Sequence, residues 1–392
     1  MLALGHDLKT QQPITLDAGH ARVLLVCGKR GGGKSYTLGV LVEELFQQEP
    51  RPCVLVIDPM GSFWTLAEPA DAAGGLRGAA SSGGSQAAAR ALPVQLLVPG
   101  DPTKVYSAAL RARYQQLGIT LTRLTFSPSA LSPDAWCLLF DVSINEPLGI
   151  VLSRAVQTLS VKSSAFGISD LERMVTNDAL AHDRTKEALA NRLRIASSWG
   201  LFDTRALDLD IALTPERVHV LDCSVLDYGP QGLRSLALDV LTRRLFANAQ
   251  ARRQAIVQEA AGPSAPKFWL VIDEAHQFLP HGAGSFCKDA LIRWVKEGRQ
   301  PGLSCIVASQ QPGSLEPEVL SQADALIAHR LTNLDDLDAM DHLSQAYLGS
   351  PLHVYLRHLK HPGQAVLVDD ARERVAMLQV RPRLTRHGGA EQ

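Results

Sequence analysis

Residues 22–37 read RVLLVCGKRGGGKSYT. The apolar run Val23 to Val26 predicts a buried strand, and the glycines that follow cannot continue one. From Ser35 onward, Leu38, Val40, Leu41 and Leu45 fall on one helical face. Within this strand, loop and helix, Gly28, Gly33, Lys34 and Ser35 satisfy the pattern G-x-x-x-x-G-K-[ST]. A triphosphate needs backbone N–H groups crowded around its oxygens, and residues without a β-carbon let the main chain curl that tightly. Gly31, Gly32 and Gly33 supply this freedom, and Lys29, Arg30 and Tyr36 complete the set of candidate nucleotide contacts. The helix turns its unpaired N–H groups and positive end toward the phosphates. Lys34 adds a point charge at the β and γ positions, and the Ser35 hydroxyl suits a Mg²⁺ ion.

Further along, Phe268-Trp269-Leu270-Val271-Ile272 runs into Asp273-Glu274-Ala275-His276. An aliphatic strand closed by two acids complements a phosphate-binding loop. Asp273 is placed to complete a metal shell through water, and Glu274 to accept a proton from an attacking water. Three other predicted strands end in polar residues. Val54 to Ile57 closes on Asp58, which reads either as an assisting carboxylate or as a turn-forming Asp-Pro. Leu303 to Ala308 closes on Ser309-Gln310, where Gln310 reads as a γ-phosphate contact or as a capping residue. Ala325 to Ala328 leads to His329-Arg330, and Arg293, Lys296 and Arg299 recur at a spacing of three on a predicted helix.

These elements predict an α/β chain: a P-loop core with a central, mostly parallel sheet flanked by helices. Residues 1–102 form its first part, with a flexible Ala/Gly/Ser-rich insertion at 70–92; residues 103–210 form an all-helical insertion; and residues 211–392 form the second part. Leu171, Met174, Leu180, Leu189, Leu193 and Ile195 recur at helical intervals in that insertion, while residues 1–21 are too short to make a domain. A helix over 231–258 carries Arg243-Arg244 and Arg252-Arg253, read as a solvated face, and a Gly/Pro/Ser/Ala break follows at 261–266. Lys and Arg total 39 against 40 Asp and Glu, so any nucleic-acid contact must come from local patches. Lys288, Arg293 and Lys296 are the candidates. The six cysteines form no C-x-x-C pair and read as reduced, buried residues of a cytoplasmic protein. No apolar run approaches a membrane span.

With its parts placed, the chain resembles the HerA branch of the HerA/FtsK superfamily of ring-forming, DNA-pumping ATPases. The likeness rests on GKRGGGKSYT, VLVIDPMGSFW, FWLVIDEAHQFLP, EGRQPGLSCIVASQQPGSLEPEVLSQAD, ALIAHRLTN and PGQAVLV, and runs from about residue 5 to 381. The resemblance implies a RecA-like fold, a homo-oligomeric ring of hexamer type, ATP at each subunit interface and double-stranded DNA through the pore. It implies that Lys34 and Ser35 hold the nucleotide, Asp273 supports the metal, Glu274 activates water, Asp58 assists and Gln310 senses the γ-phosphate. Arg299 and Arg330 match arginines that reach a neighbouring subunit's site. Gly28 begins 27 residues into the chain, so the family's N-terminal β-barrel, which docks a partner nuclease, is not expected, and a nuclease or other effector partner is left open; Gln311 stands where the family carries an arginine.

Two function classes follow: an ATP-driven translocase on duplex DNA, or an ATP-gated ring that organises a partner effector without translocating. A GTPase switch is disfavoured by the paired Asp273-Glu274 and by the lack of an N-K-x-D sequence.

Overall fold

The structure, a computed structural model, describes residues 1–71, 88–226, 232–259, 267–344 and 351–388. Most of the expected flexible insertion, and the break at 261–266, lie outside these residues. The strands are β1 (Leu2–Asp7), β2 (Pro13–Leu16), β3 (Val23–Cys27), β4 (Cys53–Asp58), β5 (Val94–Pro99), β6 (Thr120–Leu124), β7 (Val218–Asp222), β8 (Phe268–Ile272), β9 (Leu303–Ser309), β10 (Ala325–Ala328), β11 (Gln364–Asp369) and β12 (Arg374–Val380). They join one sheet in the order β2-β1-β12-β11-β10-β3-β9-β8-β4-β7-β5-β6. The run from β10 to β6 is parallel throughout, and β11, β12, β1 and β2 extend it antiparallel.

The central strands read as unbroken apolar runs because helices cover both faces of a parallel sheet. Their side chains alternate between two cores. Leu25, Leu55, Ile57, Leu270 and Ile272 enter one core with the helices Pro147–Lys162, Asp183–Ser198, Leu233–Glu259 and Lys288–Glu297. Leu24, Val26, Val54, Val56 and Val271 enter the other with the helix Lys34–Phe46. Because the strands are parallel, their C-terminal ends share one edge: Cys27 pairs with Ser309 and Ala328, and Asp58 with Asp222.

Several expectations need correction. The stretch 103–210 is not all helical, since β6 lies within it and pairs with β5. Its half-exposed TLTRL sequence has the mixed polarity of an edge strand, which masks it. Its helices share their core with Leu97 and Leu221 of the sheet. Leu171, Leu189 and Leu193 are buried as their spacing predicts, but Leu180 and Ile195 face outward, 81% and 57% exposed. Residues 1–21 supply β1 and β2, which pair with each other while β1 also pairs with β12. The helix carrying Arg293 and Lys296 ends at Glu297 with Gly298 as its cap, so Arg299 follows it rather than sharing its face. All six cysteines are free and buried, and burial raises the thiol pKa of each.

Candidate active site

The loop after β3 curls back on itself. Gly32 N donates to Lys29 O at 3.0 Å, and Gly31 and Gly33 hold φ of 76° and 108°, where a side chain is strained. Gly33 caps the helix Lys34–Phe46, leaving its first N–H groups facing the loop's hollow. The neighbouring strands anchor the loop. Gly28 N donates to Ser309 O at the end of β9, and Lys29 N donates to Arg330 O after β10. Lys29 and Arg30 are exposed at the loop tip.

Lys34 is buried, and its ammonium donates to Asp273 Oδ1 at 3.0 Å and to Glu274 Oε1 at 2.9 Å. Burial opposes its charge, but the two carboxylates outweigh that and hold its pKa above the ordinary value. The Ser35 hydroxyl donates to Asp273 Oδ2 at 3.0 Å. The Gln310 amide donates to Glu274 Oε1, the oxygen Lys34 already grips. Glu274 Oε2 is buried without a hydrogen-bond partner among the described residues, with His276 Nδ1 3.5 Å away. Glu274 also takes a left-handed backbone, φ 47°, which costs a non-glycine residue roughly 1–3 kcal/mol. The turn directs its carboxyl back onto Lys34 instead of continuing β8.

Asp58, Asp222 and Asp273 stand at or just past the ends of three adjacent strands. Asp58 accepts from Phe63 N at 2.7 Å and Met60 N at 3.2 Å. Burial raises its pKa to about 7; the Phe63 bond pulls the other way, and the charges of Asp222 and Asp273 add to the rise. The Tyr106 and Ser224 hydroxyls donate to Asp222. Mg²⁺ takes oxygen ligands and keeps several waters, so it needs few protein groups beside a bound phosphate. The half-buried Ser35 hydroxyl and the buried Asp273 carboxylate, hydrogen-bonded to each other, fit that donor set.

The site thus unites Lys34, Ser35, Asp273, Glu274 and Gln310, with Asp58 beside them on the next strand. Arg299 and Arg330 stand outside this network and are exposed, Arg330 lining a cleft of about 510 Å³ with Arg357 and Lys360. Lys288, Arg293 and Lys296, the candidate DNA contacts, are paired with Glu316, Glu297 and Glu318. Gln311 is exposed.

The sequence reading gave His329 no role. It is fully buried beneath the loop, its Nδ1 2.9 Å from Gln364 O and its Nε2 2.8 Å from Thr37 Oγ1. A carbonyl only accepts, so Nδ1 carries the proton and Nε2 accepts from Thr37. Burial lowers the His329 pKa to about 4, keeping the ring neutral. Its available signal was a polar residue directly after an apolar strand, facing a glycine.

Comparison with known proteins bears on this geometry. Residues 2–245 match the family described as Helicase HerA, central domain. The chain belongs to this family. One HerA-family relative, the DNA double-strand break repair helicase HerA of Pyrococcus furiosus, is 35% identical over 69 residues, 18% of this chain and 12% of that protein. Curated relatives are matched over only 12–20% of their length. Among solved structures, VirB4 of Thermoanaerobacter pseudethanolicus superposes with a TM-score of 0.60 at 14% identity, covering 97% of this chain and 96% of that one. The bacterial conjugative coupling protein TrwB superposes at 0.52 with 12% identity, covering 100% and 91%. At these identities the two structures establish a shared RecA-like P-loop fold. In a chain of the HerA family, the paired carboxylates of Asp273 and Glu274 thus face Lys34 of the glycine-rich loop.

Proposed function

We propose that this chain hydrolyses ATP with Mg²⁺ and uses the energy to move double-stranded DNA through a ring, a hexamer, of identical subunits in the cytoplasm. The observation that carries this reading is the convergence of Lys34, Asp273 and Glu274 within 3.0 Å contacts in a HerA-family chain. In the proposal, loop residues 28–36 receive the phosphates, Lys34 leaves its carboxylates for the β and γ oxygens, and Ser35 with Asp273 holds the metal. When bound, that ion neutralises charge on the transferring phosphoryl group. Glu274 takes the proton of the attacking water on its unpartnered Oε2, Gln310 reports the state of the γ-phosphate, and Asp58 adds a carboxylate beside the metal position.

Arg299, and Arg330, whose backbone anchors Lys29 of its own loop while its side chain is exposed, are proposed to complete the site of the next subunit. Such a supply in trans makes hydrolysis depend on the ring, since a lone subunit lacks that charge in the transition state. ATP turnover measured with and without duplex DNA at rising salt tests the reading. A translocase is stimulated by DNA and loses the stimulation steeply with salt, as phosphate contacts release counterions. Turnover indifferent to DNA at every salt supports instead a ring that organises a partner.

A further inference from the structure

The last described stretch, residues 381–388, leaves β12 and crosses the helix Lys34–Phe46. One buried carboxylate holds it there. Glu43, fully buried, accepts from Arg381 Nη1 at 2.8 Å, Leu384 N at 3.0 Å, Thr385 N at 2.9 Å and Thr385 Oγ1 at 2.7 Å. Arg383 lies against Gly39, where a β-carbon would come within 2.3 Å of its guanidinium carbon. Arg383 N donates to the Tyr36 hydroxyl at 2.8 Å. Arg386 is tied to Glu68, its N donating to Glu68 O and its guanidinium pairing at 2.9 Å with a carboxylate that also binds Arg113.

These contacts fix a path whose destination is His387. The His387 ring meets Tyr36 edge-on at a centroid distance of 5.5 Å. A β-carbon on the next residue, Gly388, would lie 2.4 Å from Ser62 O. Tyr36 directly follows Ser35, and Ser62 belongs to the loop after Asp58. The stretch 387–388 is therefore placed between the first turn of the helix Lys34–Phe46 and the loop after Asp58, two elements that carry site residues. His387 Nδ1 is 3.3 Å from Arg383 Nη1, and a guanidinium only donates, so the ring's own N–H is on Nε2. Burial and the Arg383 charge lower its pKa to about 4, so at neutral pH it offers a donor without a charge. A ribose hydroxyl, a base nitrogen or a phosphate oxygen accepts such a donor.

We propose that residues 381–388 form a wall of the nucleotide site, that His387 contacts the bound nucleoside triphosphate, and that Glu43 is the positioning residue that holds the wall in place. The inference rests on the site around Lys34 being the nucleotide site. A fluorescent ATP analogue with Mg²⁺, titrated into the full chain, tests it. His387→Ala weakens binding about 5- to 10-fold, the effect of losing one hydrogen bond and its packing, with an unchanged Tm. Glu43→Gln weakens binding similarly, and the double variant is no weaker than the weaker single, because both act through one contact. Binding by His387→Ala at wild-type affinity overturns the proposal, and additive losses overturn the role of Glu43. Should Glu43→Gln fail to fold, His387→Ala decides alone. If Lys34→Ala binds the analogue as tightly as wild type, the proposal falls with the site itself, an outcome distinct from a failure confined to His387.

Discussion

Lys34 Nζ lies 2.9 Å from Glu274 Oε1, the oxygen that also receives the Gln310 amide, while Glu274 Oε2 is buried with no hydrogen bond among the described residues and His276 Nδ1 3.5 Å away. One oxygen is held by hydrogen bonds and the other is not. Glu274→Gln keeps the shape but removes the proton acceptor. ATP binding is expected to persist while phosphate release falls by roughly 10²- to 10⁴-fold, the usual worth of a positioned general base. Single-turnover release at the wild-type rate would exclude Glu274 from that role.

Arg299 follows the helix Lys288–Glu297 and is exposed, away from its own Lys34. Arg299→Ala is expected to leave nucleotide affinity intact and to lower turnover about 10³-fold, the lower end for an arginine supplied to a phosphoryl-transfer site. Mixing Arg299→Ala with Lys34→Ala subunits then restores part of the activity, because a wild-type arginine meets a wild-type loop at some interfaces. No recovery at any mixing ratio argues against supply between subunits.

Asp58 gives a pH signature. Its carboxyl titrates near 3.8 in the unfolded chain and near 7 in the fold, so between those values the folded chain holds the extra proton. Stability from this group is therefore present below pH 4 and lost as pH rises through about 7. Asp58→Asn removes the dependence. Its stability relative to wild type is expected to rise from pH 5 to pH 8 by about 2–3 kcal/mol, at 1.36 kcal/mol per pKa unit. Urea midpoints that track wild type in parallel across this range contradict the assignment.

A β-carbon at Gly28 would lie 2.6 Å from the Cβ of His329. Gly28→Ala is expected to cost about 1–3 kcal/mol, the range for overpacking a filled core. The double variant Gly28→Ala/His329→Gly recovers part of that loss because the clashing β-carbon is removed at its other end. Equilibrium unfolding of the four proteins measures the coupling, and purely additive losses would place the strain elsewhere.

How much of this was legible in the sequence depends on where each residue's partners lie. β3, β4, β8 and β9 were readable because burial on both faces demands continuous aliphatic runs, and each closing polar residue marked the functional edge. Lys34, Ser35, Asp273, Glu274 and Gln310 were named from motif and strand position, and the fold brings them together. β1 was missed because its place in the sheet depends on β12, whose partner residues lie more than 370 positions away, and β2 with it because β2 joins the sheet through β1. His329 and Glu43 escaped for the same reason. Gly28, Thr37 and Gln364 surround the first, and Arg381 and Thr385 the second, only after the chain has folded.

Phosphate release from Mg·ATP by wild type and by Lys34→Ala tests most directly whether the loop at 28–35 and the acids at 273–274 serve one nucleotide. Loss of at least 100-fold in Lys34→Ala, with the fold intact by Tm, is the expected result for removing a charge placed at the transferring phosphoryl group. Equal release by the two proteins would mean that ATP, if hydrolysed at all, is hydrolysed somewhere else.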